Sequence, residues 1–231
     1  MIDRIQKIRD LSKLPIKTND ELKRVEIIVL KYKENPEVID ECIRRVVHNT
    51  TWPFKLTIYD NRPNPANTSK IWNFIVNESA CEYICIIDSD AFVPEVEPCW
   101  LTRLMESIDR TGVVVPMGDH VGGSNRAGAA DPYPSERPQN GIWSAFCGLY
   151  KKSVIRQLGN FDEHFYLYGQ DSFFAWKCQK QIGGAVYRTD VFVQHTGSHS
   201  AKKADSEGEL DREADKLYAA SLYRLKTQGK V

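Results

Sequence analysis

The feature that most constrains the fold is an alternation of two apolar patterns along the first half of the chain. Val25–Leu30, Lys55–Asp60, Tyr83–Asp88 and Val113–Val115 are short, β-rich, nearly continuous apolar runs. Such runs mark strands buried on both faces rather than strands with one wet side. Between them apolar residues recur at helical spacing: Val38/Ile39, Cys42/Ile43 and Val46/Val47 after Pro36, then Ile71/Trp72/Ile75, then Leu101/Leu104/Met105/Ile108. Strand, helix, strand, helix predicts an α/β fold: a mostly parallel, Rossmann-like sheet with helical crossovers on its faces.

Residues 119–140, rich in Gly, Pro, Ser and Asn, lack either period and predict one long loop. After it the spacing predicts a strand over Ile142–Tyr150, a helix over Lys151–Leu158 stopped by Gly159, a helix over Gln170–Gln181 stopped by Gly183-Gly184, and a strand over Val186–Val193. The last stretch places Leu210, Ala214, Leu217, Ser221, Leu222 and Leu225 on one face of a charged helix. The expected organisation is therefore an N-terminal helix with a loop over residues 1–24, one domain over 25–200, and a helix within 201–231 packed across the domain's back.

Charge excludes some partners. Lysine plus arginine and aspartate plus glutamate each number 31, so no global field draws the chain to nucleic acid or membrane. Cys42, Cys81, Cys85, Cys99, Cys147 and Cys178 show no zinc-ligand spacing and mostly sit in apolar runs, as buried thiols of a reducing compartment do. No apolar run approaches the roughly 20 residues of a membrane span, and the charged start lacks the apolar stretch of a signal peptide. The expectation is a cytoplasmic protein.

The residues with the most chemistry are Asp88-Ser89-Asp90, at the end of the Tyr-Ile-Cys-Ile-Ile run. Ligands of open parallel sheets bind beyond the carboxyl ends of strands, and residues i and i+2 project to one side, so both carboxylates can converge on one cation. Mg²⁺ or Mn²⁺ there would bridge diphosphate oxygens. The alternative is a turn in which the aspartates bond their own backbone.

Further along, Phe161-Asp-Glu-His-Phe-Tyr-Leu-Tyr-Gly-Gln-Asp171-Ser-Phe-Phe resembles the second signature of family 2 glycosyltransferases, in which a Gly-Glu-Asp segment follows an aromatic run. Val25–Tyr32, Tyr59-Asp60-Asn61 and Asp88-Ser89-Asp90 stand in that family's order, and the resemblance extends from about Val25 to Ser200. It implies a GT-A fold and inverting transfer of a sugar, of hexose type, from a nucleoside diphosphate donor to an acceptor hydroxyl. Asp171 takes the place of the general base, a role a carboxylate at a helix start can fill; as an N-cap it would merely satisfy helix amides. Gln170 stands where Glu is usual and Phe173 where a second acidic residue often sits.

The resemblance also implies that His195, in Val191-Phe-Val-Gln-His-Thr-Gly-Ser-His199-Ser, completes the metal site with Asp88 and Asp90; an imidazole beside two carboxylates favours Mn²⁺ over Mg²⁺. His199 is a substitute, with Ser198 and Ser200 as phosphate donors. Asp60 matches the residue that reads the nucleobase. A carboxylate selects an N–H edge, which points to a UDP- or dTDP-sugar ahead of a GDP-sugar. Turn formation before Pro63 is the alternative for Asp60. Leu30 and Tyr32 flank the base, Leu-Lys-Tyr replacing the family's Pro-Thr-Tyr, and Arg62 and Ser89 complete the donor set. Trp143 is the expected sugar platform on the acceptor side, with Gln170 beside it. The 119–140 loop is a candidate lid. The expected acceptor is a glycan, a lipid-linked sugar or a protein hydroxyl, with a hydroxylated DNA base behind them.

Two rivals follow. A sugar nucleotidyltransferase shares the layout but carries a Gly-rich phosphate loop after its first strand, where this chain reads Lys31-Tyr-Lys-Glu-Asn-Pro. A catalytically silent carbohydrate-binding or assembly module fits Gln170 and Phe173 but leaves Asp88, Asp90, Asp171 and His195 without use.

Overall fold

The computed structural model describes residues 5–10, 23–62, 67–130, 136–139, 141–197, 206–207 and 211–230, with backbone alone for 5–10, 136–139 and 212. In chain order the elements are β1 (Ile5–Asp10), β2 (Val25–Lys31), α1 (Pro36–His48), β3 (Phe54–Asp60), α2 (Thr68–Glu78), β4 (Tyr83–Asp88), β5 (Ala91–Phe92), α3 (Trp100–Thr111), β6 (Val113–Gly118), β7 (Glu136–Gln139), β8 (Cys147–Lys151), α4 (Lys152–Gln157), α5 (Gln170–Ile182), β9 (Ala185–His195) and α6 (Arg212–Thr227).

The strands pair in the order β1-β3-β2-β4-β8-β6-β9-β5, with β7 also on β9. β2 is the centre of the expected parallel sheet, running parallel to β3 on one side and β4 on the other. Val25, Ile27 and Val29 pack into the layer of α1 and α3, whereas Ile28 packs into that of α2 and α5. Alternate β2 side chains thus enter opposite cores, which is why this strand reads as an unbroken apolar run. Beyond β4 the sheet is mixed, because β8 enters antiparallel between β4 and β6.

Strand order reverses at β2: the chain steps outward to β3 and returns across β2 to β4. In open α/β sheets such a reversal, at the carboxyl ends of the strands, is where ligands bind. Register fixes what stands there, since Leu30 pairs with Asp88 and Lys31 with Asp60.

Three expectations need correction. Residues 5–10 form no helix; they pair antiparallel with β3, a strand whose outer edge would otherwise carry unpaired backbone groups. The 119–140 segment is not one loop. Glu136–Gln139 pairs with β9, and Asn125 pins the preceding turn, its side chain donating to the Pro116 and Ser144 carbonyls at 3.2 and 3.1 Å and accepting from Ser144 N–H at 3.0 Å. Lastly, α6 does not bury the expected stripe: Leu217 is 70% exposed and Leu225 39%, while Ala219, Leu222 and Tyr223 pack against Phe165 and Phe173. Phe173, standing where an acidic residue is usual, supplies the apolar surface that turns the helix this way and holds it near α5. Of the expected face, Leu210 lies outside the described residues.

Candidate active site

The sheet's carboxyl edge opens into a cleft of about 460 Å³ that admits residues from β2, β4, β9, the 141–146 segment and the start of α5. Asp88 ends β4, its N–H bonded to the Phe146 carbonyl at 2.8 Å. Two residues on, Asp90 is buried, and its carbonyl accepts from Thr196 N–H at 3.2 Å. The β5–β9 pairing sets Ala91 opposite His195, so the strand end carrying His195 is brought to the two aspartates by backbone bonds rather than side-chain contacts.

His195 Nε2 lies 3.1 Å from Asp90 Oδ1 and 3.7 Å from Asp88 Oδ2, and one ligand atom from each residue falls within 4.8 Å of the others. Phe146 packs under the imidazole, with ring centroids 5.3 Å apart. Asp119 Oδ1 fixes the His195 N–H at 2.6 Å. The three side chains are held differently. Asp88 is 44% exposed to the cleft, whereas Asp90 is 6% exposed and also accepts from the Thr196 hydroxyl at 3.2 Å. Desolvation pushes the Asp88 carboxyl up to about 7, against the opposing pull of His195. Burial would raise Asp90 too, but His195 and Thr196 outweigh it and hold the group below the usual carboxylate range. For His195, burial lowers affinity for a proton and the Asp90 contact more than restores it, so its pKa is raised. Two carboxylate oxygens and one imidazole nitrogen converging in a cleft, one carboxylate open to it, fit a divalent cation.

Asp171 enters the same cleft from the first turn of α5. Gly169 precedes that helix at φ +87, where a Cβ would meet the Phe165 ring at 2.8 Å. Oδ2 of Asp171 accepts from Ala145 N–H at 3.2 Å, and Oδ1 from Ser172 N–H at 2.7 Å. Desolvation raises its pKa, the two N–H groups only partly offsetting it. The carboxylate is thus bonded to main chain on both oxygens and has no cationic partner among the described residues.

Solved structures with the same arrangement of elements include GalNAc-T7 with UDP, GalNAc and Mn²⁺, at TM-score 0.59 and 11% identity over 76% of this chain and 44% of that one. Another is the mannosyltransferase PcManGT from Pyrobaculum calidifontis with GDP-Man and Mn²⁺, at 0.54 and 17% over 74% and 56%. A third is S. aureus TarS with UDP-GlcNAc, at 0.57 and 13% over 78% and 61%. The fold is the GT-A fold. The chain spans about half the length of these proteins. No family model and no curated sequence matches it.

In this GT-A chain the expected residues fall into two groups. Leu30, Tyr32, Asp88, Ser89, Asp90, Gln170, Asp171 and His195 all line the cleft. Asp60 and Arg62 do not: Asp60 ends β3 beside it, but its carboxylate is gripped by Arg62, whose Nε donates to Oδ1 at 2.8 Å and whose Nη2 donates to Oδ2. That fork holds Asp60 below the usual carboxylate range and occupies the acceptors a nucleobase would use. Trp143 borders the cleft, yet its side chain is 1% exposed and packs on Tyr150 and Phe174. As a sugar platform it is corrected; Tyr166, 42% exposed at the cleft wall, is the open aromatic there. Ser198, His199 and Ser200 lie outside the described residues.

Among the cleft residues that sequence reasoning passed over are Glu34 and Lys216. Glu34 follows β2, where Lys-Glu-Asn-Pro reads as an ordinary polar lead-in to a helix. Lys216 reaches the wall from α6, its Nζ 5.6 Å over the Tyr168 ring, while Asp215 caps Tyr168 N–H at 3.2 Å. Nothing in the sequence sets that helix beside the cleft.

Proposed function

We propose that this chain is a metal-dependent glycosyltransferase that moves a hexose-type sugar from a nucleoside diphosphate donor to an acceptor hydroxyl with inversion. The observation that carries the reading is one cleft, at the reversal of strand order, holding Asp88, Asp90 and His195 together with Asp171. The UDP and Mn²⁺ bound by GalNAc-T7 and the UDP-GlcNAc bound by TarS on the same fold support it.

Asp88, Asp90 and His195 would hold the cation, Mn²⁺ or Mg²⁺, which supplies positive charge against a leaving diphosphate. Asp171 takes the proton of the acceptor hydroxyl as that oxygen attacks the anomeric carbon, and the raised pKa suits the task by bringing the carboxylate nearer neutrality. Its two backbone bonds fix where the proton is received. Leu30 and Tyr32 flank the base, and Gln170, buried with its Oε1 unpartnered among the described residues, faces the acceptor. The donor set favours uridine or thymidine, with Asp60 reading the N–H edge once Arg62 releases it. Residues 25–200 form the transferase unit, with the N-terminal strand and α6 packed on it. The acceptor is a glycan, a lipid-linked sugar or a protein hydroxyl. The six free thiols support a cytoplasmic setting, and no helix among the described residues is long and apolar enough to cross a membrane.

The test is a calorimetric panel of UDP, dTDP, GDP and CDP, each with Mn²⁺ and with EDTA. Metal-dependent binding of a diphosphate is expected. No binding by any of the four would sink the reading and favour the silent module.

A further inference from the structure

One face of α6 packs on the domain and a second, apolar one is left in water. Ala219, Leu222 and Tyr223 meet Phe165 and Phe173, while Asp215 accepts from Tyr168 N–H at 3.2 Å and Lys226 Nζ lies 2.8 Å from the Asp162 carboxylate. On the other side Ala214, Leu217, Tyr218, Ser221 and Leu225 recur three or four residues apart, and all five are exposed. Of the five large apolar side chains exposed among the described residues, three (Leu217, Tyr218 and Leu225) stand in this stripe. Apolar residues scattered singly over a surface need no explanation, but a stripe along about three turns of one helix marks an interaction face.

The charge along this part of the chain identifies the partner. Residues 205–215 carry six acids and one base, and residues 216–231 carry four bases and no acid. In the helix itself Asp211 and Glu213 are exposed at the start, Arg224 and Lys230 at the end. A segment polarised in this way is complementary to itself when two copies run antiparallel, since acid then meets base at both ends. Parallel copies would set like charges together, and an anionic membrane would repel the acidic half. A two-fold axis near Ser221 sets Leu217 against Leu225 of the second copy and brings the Glu213 end to the Lys230 end. We infer that the exposed face of α6 is a self-association surface, on which two copies of this chain pair antiparallel. The same helix carries Lys216 to the cleft wall, so the pairing braces that wall. The inference stands apart from the activity proposed above.

The experiment is sedimentation velocity of the full chain over a range of concentrations, at low and high salt. One helix pair is a small interface, so a reversible dimer with a Kd on the order of 10 µM is expected, weakening as salt rises. Leu217→Asp should raise that Kd roughly tenfold or more; the side chain is 70% exposed, so the fold of the single chain should survive, as circular dichroism would show. Glu213→Lys alone and Lys230→Glu alone should each weaken the dimer several-fold. An equimolar mixture of those two variants should restore it, because in the mixed pair each end again joins opposite charges. A wild type that stays monomeric at every concentration overturns the inference without any variant. So does a dimer that Leu217→Asp leaves intact, or a mixture no tighter than its components. A monomer that instead binds vesicles of anionic phospholipid, and loses that binding in Leu217→Asp, overturns it in favour of a membrane.

Discussion

The backbone N–H of Ala145 donates to Oδ2 of Asp171 across 3.2 Å, tying the approach to β8 to the first turn of α5. This bond explains why Ile142–Phe146, read from its composition as the start of a strand, is irregular: Ser144 N–H goes to Asn125 and Ala145 N–H to the candidate base, so neither is left for a sheet ladder.

Asp171→Asn should lower turnover by roughly 10²- to 10⁴-fold, the usual worth of a general base, while metal-dependent binding of the nucleoside diphosphate stays unchanged. Initial rates and calorimetry on one preparation check both halves. Undiminished turnover would remove Asp171 as the base.

The pH dependence has a definite sign. Burial raises Asp171 above the ordinary carboxylate value, and the base works only when ionised, so turnover should fall as pH drops through that raised value. Stability runs the other way: a group whose folded pKa is raised stabilises the fold below its unfolded pKa, and that contribution is lost as pH rises through the folded one. An acid limb at the unperturbed aspartate value would contradict the assignment.

Removing one member of the metal trio should show in binding before it shows in folding. Asp90→Ala is expected to abolish the difference between Mn²⁺ and EDTA in nucleotide calorimetry, and His195→Ala to weaken the Mn²⁺ response with a smaller effect. Metal dependence that survives Asp90→Ala would move the cation elsewhere.

Arg62→Ala tests whether Asp60 is a base reader held in reserve. The pair is partly exposed, Arg62 by half, so its loss should change stability by less than about 1 kcal/mol. Freed of the fork, Asp60 should sharpen the preference for UDP over CDP. An unchanged preference would assign Asp60 to the turn alone.

Asp190→Asn probes a buried ion pair away from the cleft. Arg188 bonds Asp190 through Nε and Nη2, each at 2.8 Å, with both side chains under 10% exposed. Burial opposes ionisation of Asp190, but Arg188 outweighs it and depresses the pKa. Its stabilisation is therefore present above the unfolded pKa and lost as pH falls through the folded one. The variant should lose roughly 1–3 kcal/mol by denaturant titration at neutral pH, because Arg188 keeps Glu106 at 3.1 Å and the Ser107 hydroxyl at 3.0 Å but loses its buried bidentate partner.

What the sequence made legible follows from what each residue's neighbours are. Tyr83–Asp88 is bounded as read, β2, β3, α1 and α5 fall within a residue or two, and α3 contains the whole Leu101–Ile108 periodic run, because each is marked by local apolar periodicity. Asp88, Asp90 and His195 were found through strand ends and a resemblance, and the structure brings them together. The misreadings share another cause. Ile5–Asp10 is a strand because β3 offers it an edge, Trp143 is core because Tyr150 and Phe174 close over it, and Leu217 is exposed because Phe173 engages another side of α6. Each depends on a partner distant in the chain, which no local period encodes.

The main-chain hold on Asp171 also bears on how such a cleft can diverge. Because the amides of residues 145 and 172 both anchor the carboxylate, with the Ser172 hydroxyl adding a contact to Oδ1 at 3.4 Å, the side chain at 145 takes no part in the hold, and proline is the substitution there that removes its share. The wall at residue 145 can therefore drift in sequence while the carboxylate of Asp171 stays where it is.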